Sequence, residues 1–212
     1  MSNETMELTL ILATQEQLAR HKTQPALFLD RDGVVIEDKH HLCDPKLVEL
    51  CPGAKKVIKA AKGKGWSVVL ITNQSGISRG FFSWDDYQRV TVKMLNLLGK
   101  NAEPTAIYAN GYGPDQSQQS WRKPNPGMLL EAAKDLRVDL SQSTIIGDRL
   151  SDLKAGTNAG LSALIHVLTG HGQKERALVK KAIDAKNQFP RAAIVKLINN
   201  LKELAGASPL LQ

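Results

Sequence analysis

Residues 26–33 read ALFLDRDG, and they decide the fold class of this 212-residue chain. Four apolar residues form a short run that is typical of a strand buried on both faces. The run ends in two aspartates, Asp30 and Asp32, and Gly33 then allows a sharp backbone turn. In open α/β sheets, ligands bind beyond the carboxyl ends of the strands. The stretch therefore predicts a buried strand that delivers two carboxylates to a ligand site.

Outward from this stretch, short apolar runs alternate with helical patterns. Further strands are predicted over Ser67–Ile71, Thr105–Tyr108, Thr144–Ile146 and Ala163–Val167. Helices are predicted over residues 52–62, 87–98, 125–136 and 151–160, with a capping box at Ser83 and Asp86 and a possible cap at Ser151. This alternation predicts an α/β fold, a Rossmann-like parallel sheet with helices on both faces.

The two ends of the chain are predicted to be helical additions to a single domain, residues 1–212. Residues 1–22 are expected to form an N-terminal helical extension, residues 23–172 the catalytic core, and residues 173–212 a basic C-terminal helical extension. In the last segment, Ile194, Leu197, Ile198 and Leu201 follow helical spacing.

Composition excludes several classes of protein. Apolar residues make up 42% and charged residues 23%, which are ordinary globular values, and two cysteines cannot form a disulfide scaffold. No apolar run is long enough for a membrane span, and the early run at residues 8–13 follows acidic residues rather than basic ones. We therefore expect a cytoplasmic protein without a membrane partner.

The net charge of +7 is concentrated near the C-terminus, because residues 173–212 hold eight basic and three acidic residues. A basic surface can attract nucleic acid. Here the charge coincides with a predicted amphipathic helix, so we favour a solvated helix face over a nucleic-acid partner. The oligomeric state is left open, with a monomer favoured.

Three other stretches bring polar chemistry to the same edge of the predicted sheet. Residues 72–76, TNQSG, follow the second strand with small hydrogen-bonding side chains. Arg122 and Lys123 precede a helix start, where anions bind well. Asp148 and Asp152 follow the fourth strand, and carboxylates are the ligands that Mg²⁺ prefers.

The longer strings carry a resemblance to a known family. They are residues 28–33 (FLDRDG), 72–80 (TNQSGISRG), 122–128 (RKPNPGM) and 147–152 (GDRLSD). Together they resemble the haloacid dehalogenase superfamily of phosphohydrolases, and within it the branch that acts on heptose bisphosphates. The resemblance implies a core with a minimal cap, and Mg²⁺-dependent removal of the 7-phosphate of D-glycero-D-manno-heptose 1,7-bisphosphate.

The same resemblance implies a role for each matching residue. Asp30 would attack phosphorus to form an aspartyl-phosphate, and Asp32 would act as general acid and then general base. Thr72 and Lys123 would hold the transferring phosphoryl oxygens. The implied Mg²⁺ ligands are Asp30, the carbonyl of Asp32, and Asp148, with Asp152 supporting them from behind.

Substrate recognition would come from residues around this core. The implied substrate-binding residues are Asp38, Lys39, His40, His41, Asn73, Gln74, Ser75, Arg122 and Arg149. Arg122 is the candidate for the distal phosphate, because a guanidinium suits bidentate phosphate contacts. Arg149 stands where the family typically has Lys.

One departure from the family concerns metal binding. Many members carry a zinc site on the loop before the RKP string, built from cysteine and histidine pairs. The matching positions here read NGY at residues 110–112 and QSW at residues 119–121. A structural zinc needs about four such ligands, so the sequence predicts that no zinc is bound.

Three other functions compete with this prediction. A histidinol-phosphate phosphatase is a close relative, but residues 75–80, SGISRG, fit the heptose branch better. A nucleic-acid 3′-phosphatase shares the TNQ and RKP strings without zinc, although Arg31 and Asp152 argue against it. An inactive sugar-phosphate-binding module is disfavoured because all four catalytic elements are present.

Overall fold

The protein is built on a seven-stranded sheet with the order β1-β4-β3-β2-β5-β6-β7. The computed structural model describes residues 6–14, 18, 23–114, 121–185, 188–190 and 193–204. The strands are β1 (Glu7–Ile11), β2 (Ala26–Leu29), β3 (Ser67–Asn73), β4 (Ala106–Asn110), β5 (Thr144–Gly147), β6 (Ala163–His166) and β7 (Ile194–Leu197). All neighbouring strands pair in parallel except β1, which lies antiparallel to β4 at one edge. The carboxyl ends of β2, β3 and β5 therefore lie side by side.

Helices cover both faces of the sheet, as the sequence predicts. They are α1 (Ala54–Gly63), α2 (Trp84–Leu98), α3 (Gly127–Leu136), α4 (Leu150–Asn158) and α5 (Gly172–Asp184), with 3-10 turns at Pro45–Leu47, Lys100–Ala102, Leu140–Gln142 and Leu201–Glu203. Leu27 and Leu29 of β2 pack on the side of α1 and α2, whereas Phe28 packs with α3, α4 and α5. Burial on both faces explains why β2 has no polar residue until Asp30.

Helix starts agree with the sequence in most places. The capping box is present, since Ser83 Oγ accepts from the Asp86 N–H while the Asp86 carboxylate accepts from the Ser83 N–H. The helix near residue 151 differs, because it begins at Leu150 with Arg149 at the cap. There the Asp152 carboxylate accepts the Arg149 N–H at 2.9 Å. The cap therefore fixes the carboxylate of Asp152, one of the site residues predicted from the sequence.

The terminal segments correct the sequence prediction. Glu7–Ile11, predicted to be helical, is strand β1, and the other residues of the proposed N-terminal helix lie largely outside the described part of the chain. Ile194–Leu197 is strand β7, paired with β6, while Gly172–Asp184 is the helix α5. Both corrected segments are edge strands, which obtain their hydrogen bonds from a partner far away in sequence.

The connection from β2 to α1 is short, and it holds only the 3-10 turn at Pro45–Leu47. No separate cap domain occurs in the part of the chain that the structure describes, in line with the minimal cap that the sequence predicts. Within the same residues, no helix combines the length and the apolar character needed to cross a membrane.

Candidate active site

A cavity of about 420 Å³ opens where β2, β3 and β5 end. The predicted residues that line it are Asp30, Asp32, Asp38, His40, His41, Thr72, Asn73, Gln74, Ser75, Arg122, Lys123, Arg149 and Asp152. We call Asp30, Thr72, Lys123, Asp148 and Asp152 the floor, and Asp38, His40, His41, Arg122 and His171 the rim. The four strings that are distant in sequence thus meet at one place.

Lys123 is the centre of the floor. Its ammonium lies 3.0 Å from Asp30 Oδ2 and 2.6 Å from Asp152 Oδ1, and it donates to the carbonyl of Ile71 at 3.0 Å. All three charged side chains are buried, with Lys123 only 3% exposed. A buried ammonium with these neighbours is fixed in position and can meet an incoming phosphate without reorganising.

Burial and like charges set the protonation of the floor. Burial raises the pKa of Asp30 to about 7, and Lys123 opposes that rise while Asp152 and Asp32 add to it. Burial also raises the pKa of Asp148 to about 8, with Asp30 and Asp152 contributing. For Lys123, burial alone would lower the pKa, but Asp152 and Asp30 outweigh it and raise the pKa. The single positive charge of Lys123 is therefore too small to balance the carboxylates of the floor.

The carboxylates of Asp30, Asp148 and Asp152 lie within 4.8 Å of one another. Asp152 already binds Lys123 and the backbone of Arg149, whereas Asp148 Oδ1 is buried without a hydrogen-bond partner among the described residues. A buried, unpartnered carboxylate oxygen is costly unless a cation occupies its lone pairs. The donor set is all oxygen and fits a hard divalent ion such as Mg²⁺.

Two glycines make room for the Asp148 carboxylate. Gly33 and Gly170 both have positive φ, +81° and +58°, and a Cβ on either would collide with Asp148 Oδ2. The His171 N–H donates to that same oxygen at 2.7 Å. The backbone thus holds Asp148 through Oδ2, while Oδ1 stays available to bind a cation.

Asp32 is held differently from Asp30. Its two oxygens accept hydrogen bonds from Arg31 at 3.1 Å each, and Oδ2 also accepts from Gln74 at 2.8 Å. The Arg31 guanidinium is buried and lies over the ring of Tyr87, 4.6 Å from its centroid. Arg31 therefore orients the proposed acid–base carboxylate, a role that the sequence did not indicate.

Residues of the TNQ string line the cavity and also form hydrogen bonds that hold other residues of the site. Gln74 donates to Thr72 Oγ1 at 2.6 Å as well as to Asp32. The Asn73 side chain donates to the Lys123 carbonyl and accepts from the Lys123 N–H, at 3.1 and 3.2 Å. This pair of hydrogen bonds ties the end of β3 to the RKP segment and so places the Lys123 ammonium.

The predicted substrate-binding residues line the cavity with one exception. Lys39 does not line the cavity; it is exposed, and its ammonium pairs with Glu49 at 3.3 Å. Arg122 lines the cavity and donates to the carbonyl of Tyr112 at 3.0 Å. This contact and the Asn110 amide, which donates to the same carbonyl at 3.3 Å, order the described start of the loop before the RKP string.

Sequence reasoning missed His171, Arg79 and Phe82, which also line the cavity. Arg79 lies inside the quoted TNQSGISRG string, and Phe82 follows it. His171 comes shortly after β6, so the rule that ligands bind at the carboxyl ends of parallel strands could have identified it. Its imidazole Nδ1 lies 2.7 Å from Asp38 Oδ2, across the mouth of the cavity.

A buried histidine joins the floor to the C-terminal elements. His166 Nε2 donates to the carbonyl of Asp148 at 2.9 Å, and His166 Nδ1 accepts from Arg176 Nε at 3.0 Å. Burial and the nearby Arg176 lower the pKa of His166, so the ring is neutral and this tautomer is fixed. Arg176 also donates to the carbonyl of Ile198, which follows β7.

Comparisons with known proteins agree with this geometry. Residues 120–200 match the family model described as HAD-hydrolase-like. A D-glycero-beta-D-manno-heptose-1,7-bisphosphate 7-phosphatase of Mesorhizobium japonicum is 43% identical over 145 residues, covering 65% of this chain and 67% of that protein. The D-glycero-alpha-D-manno counterpart of Burkholderia mallei is 33% identical, covering 80% of this chain and 91% of that protein.

A solved structure leads to the same family. The D,D-heptose 1,7-bisphosphate phosphatase of B. bronchiseptica, complexed with magnesium and phosphate, superposes with a TM-score of 0.72 at 33% identity. The match covers 86% of this chain and 96% of that one. With the four quoted strings gathered around one cavity, these likenesses establish that the chain belongs to the heptose-1,7-bisphosphate 7-phosphatase family of haloacid dehalogenase-like hydrolases.

Proposed function

We propose that this protein is a Mg²⁺-dependent phosphatase that removes the 7-phosphate of D-glycero-D-manno-heptose 1,7-bisphosphate. The observation that carries the proposal is the floor itself, where the buried Asp30 lies 3.0 Å from the Lys123 ammonium and close to Asp148. We further propose that it works as a monomer in the cytoplasm.

In the first step, an oxygen of Asp30 attacks phosphorus and the bond from phosphorus to the sugar oxygen breaks. Asp32 gives a proton to the departing alkoxide, so that the sugar leaves as an alcohol. Lys123 and Thr72 hold the phosphoryl oxygens while charge develops on them. In the second step, Asp32 takes a proton from water, which attacks phosphorus and releases inorganic phosphate and Asp30.

Asp30, Asp148 and the backbone carbonyl of Asp32 would hold the Mg²⁺. When bound, the ion supplies positive charge that offsets the repulsion between the Asp30 carboxylate and the substrate phosphate. Asp152 would keep Lys123 in place, since it lies 2.6 Å from the ammonium.

Asp32 has to change partners during this cycle. Both of its oxygens accept hydrogen bonds from Arg31, and a protonated carboxyl can accept fewer of them. We infer that Asp32 turns partly away from Arg31 when it donates its proton, and that Arg31 and Gln74 hold the carboxylate between turnovers. Arg31 is thus a positioning residue for the acid–base group.

Substrate selectivity would come from the rim. Arg122 and Arg149 add two cations to the lining of the cavity, and a bisphosphate carries a second phosphate that needs such a partner. The relatives named above include enzymes for both anomers of the substrate, so both anomers belong in the test.

The experiment is a phosphate-release assay with either Mg²⁺ or EDTA. Its substrates are both anomers of the heptose 1,7-bisphosphate, the heptose 7-phosphate, histidinol phosphate and a 3′-phosphorylated oligonucleotide. We expect the highest kcat/KM for one bisphosphate anomer, with loss of the 7-phosphate, and no activity in EDTA. A higher kcat/KM for histidinol phosphate or the oligonucleotide would contradict the proposed substrate.

A further inference from the structure

A second group of potential metal ligands lies on the rim, and it meets the floor at His171, whose Nδ1 lies 3.7 Å from Asp148 Oδ2. Asp38 and His40 belong to the connection between β2 and α1, and His171 immediately precedes α5. One ligand atom from each of the three side chains lies within 4.8 Å of the other two. His171 Nδ1 is 2.7 Å from Asp38 Oδ2, and the rings of His40 and His171 meet edge-on with centroids 5.8 Å apart.

The two groups of ligands differ in chemistry. Asp30, Asp148 and Asp152 offer only oxygen, which suits Mg²⁺. The rim group offers two imidazoles and one carboxylate, a set that binds Zn²⁺ and similar ions through three protein ligands and leaves a position open. From this contrast we propose that Asp38, His40 and His171 bind a divalent transition-metal ion of the Zn²⁺ class at the mouth of the cavity.

The His171 imidazole has no part in the phosphatase steps. The backbone N–H of His171 supports Asp148, whereas its ring Nδ1 lies closer to Asp38 Oδ2, at 2.7 Å. The adjacent His41 is turned away and packs on Phe81, with ring centroids 4.5 Å apart.

The rim site holds its ion in exchange with solvent. The side chains of His171 and Asp38 are 22% and 16% exposed, in contrast to the buried floor. An ion bound by three such ligands would leave on dialysis, so dialysed protein is still expected to carry well under one zinc per chain. The sequence of residues 110–112 and 119–121 predicts that no structural zinc is bound there. An exchangeable ion on the rim does not conflict with that prediction.

The test is a Co²⁺ titration of the full chain, followed by visible absorption, with Mg²⁺ in large excess to occupy the floor. We expect one Co²⁺ per chain and visible bands that report nitrogen ligation. His40→Ala and His171→Ala should each weaken Co²⁺ binding by about tenfold or more. His41→Ala is the matched control and should bind Co²⁺ like the unmodified protein. Thermal melts of all variants establish that they are folded.

Two results would overturn the proposal. One is a failure to bind Co²⁺ in excess Mg²⁺, or binding that survives both histidine substitutions. The other is loss of the Co²⁺ bands in Asp30→Asn, which would place the ion on the floor. Because the readout is binding rather than turnover, a protein that fails to release phosphate from the heptose would leave this test valid.

Discussion

Asp30, Lys123 and Asp152 on the floor are 8%, 3% and 1% exposed, whereas His40 and His41 on the rim are exposed side chains. The charged floor groups are held by charged or backbone partners and Thr72 by the Gln74 amide, and Asp148 is also confined by Gly33 and Gly170. The rim rests on loops, with a contact across the mouth between His171 Nδ1 and Asp38 Oδ2 at 2.7 Å. The floor is thus built for fixed electrostatics, and the rim for contacts that can differ without disturbing the chemistry.

The largest effect is expected from Asp30→Asn on the floor. The substitution removes the proposed nucleophile and one of the proposed Mg²⁺ ligands, so kcat should fall by several orders of magnitude. Turnover is measured by phosphate release with Mg²⁺ present. Asp184→Asn, on the exposed end of α5, is the control and should keep full activity. An Asp30→Asn protein with more than a few per cent of the original turnover would exclude Asp30 as nucleophile.

Lys123→Met tests whether the floor depends on its central cation. Without it, Asp30 and Asp152 lose their shared partner, and the free energy of unfolding should drop by about 3 kcal/mol or more. Asp152→Asn added to Lys123→Met should recover part of that loss, and urea unfolding measures all three proteins. Lys134→Met removes an exposed lysine and should cost less than about 0.5 kcal/mol. Equal losses at positions 123 and 134 would show that the buried ion pairs add nothing.

Arg122→Ala tests whether a rim residue contributes to substrate binding independently of the floor. If Arg122 holds the distal phosphate, KM for the bisphosphate should rise by about tenfold or more, while KM for the 7-phosphate alone changes little. Lys39→Ala removes a cation that does not line the cavity and should change neither value. Equal losses on both substrates would assign Arg122 to the loop instead, through its contact with the Tyr112 carbonyl.

The smallest expected effect is a change in the protein's stability with pH and Mg²⁺, which arises from the carboxylates of the floor. Burial raises the pKa of Asp30 to about 7 and that of Asp148 to about 8, so the folded, metal-free protein keeps protons that the unfolded chain has lost. Its stability should therefore fall as pH rises from about 4 to about 8. Bound Mg²⁺ replaces those protons, so it should raise Tm more at pH 8 than at pH 5, by about 2–4 °C for each kcal/mol of binding.

Thermal melts at both pH values, with Mg²⁺ and with EDTA, measure this difference. In Asp148→Asn, the rise in Tm that Mg²⁺ causes at pH 8 should be smaller, because one proposed ligand carboxylate is absent. The same gain at both pH values would mean that the floor is already ionised without metal.

Most of the floor could be predicted from sequence because its residues follow buried parallel strands. ALFLDRDG, TNQSG and GDRLSD each place polar groups at a strand end, and the parallel order brings those ends together, whereas Lys123 comes from the segment before α3. The edge strands were missed for the opposite reason. Ile194 and Leu197 fit a helical spacing by coincidence, and β7 forms only because β6 offers it a partner. Glu7–Ile11 alternates polar and apolar residues, a strand pattern that the helical prediction passed over.

The rim shows a second reason why the sequence alone does not predict the whole site. His171 lies 131 residues after His40, and no local pattern links the two. Likewise, Arg31 contacts Tyr87 only because α2 crosses the face of the sheet beside β2. Lys39 is a charged residue between two residues that line the cavity, and its direction depends on Glu49. Such pairings follow from tertiary packing, which a single sequence does not encode locally.

The link from Asp148 through His166 to Arg176 affects where the chain could be shortened. Ending it at residue 172 would keep every catalytic string, yet it would remove Arg176, the partner that fixes the His166 tautomer. It would also strip β7 from β6 and Leu201 from the core beside Gly53. Helix α5, strand β7 and the 3-10 turn at Leu201–Glu203 thus support the active site, and a shortened chain that keeps phosphatase activity should retain all three.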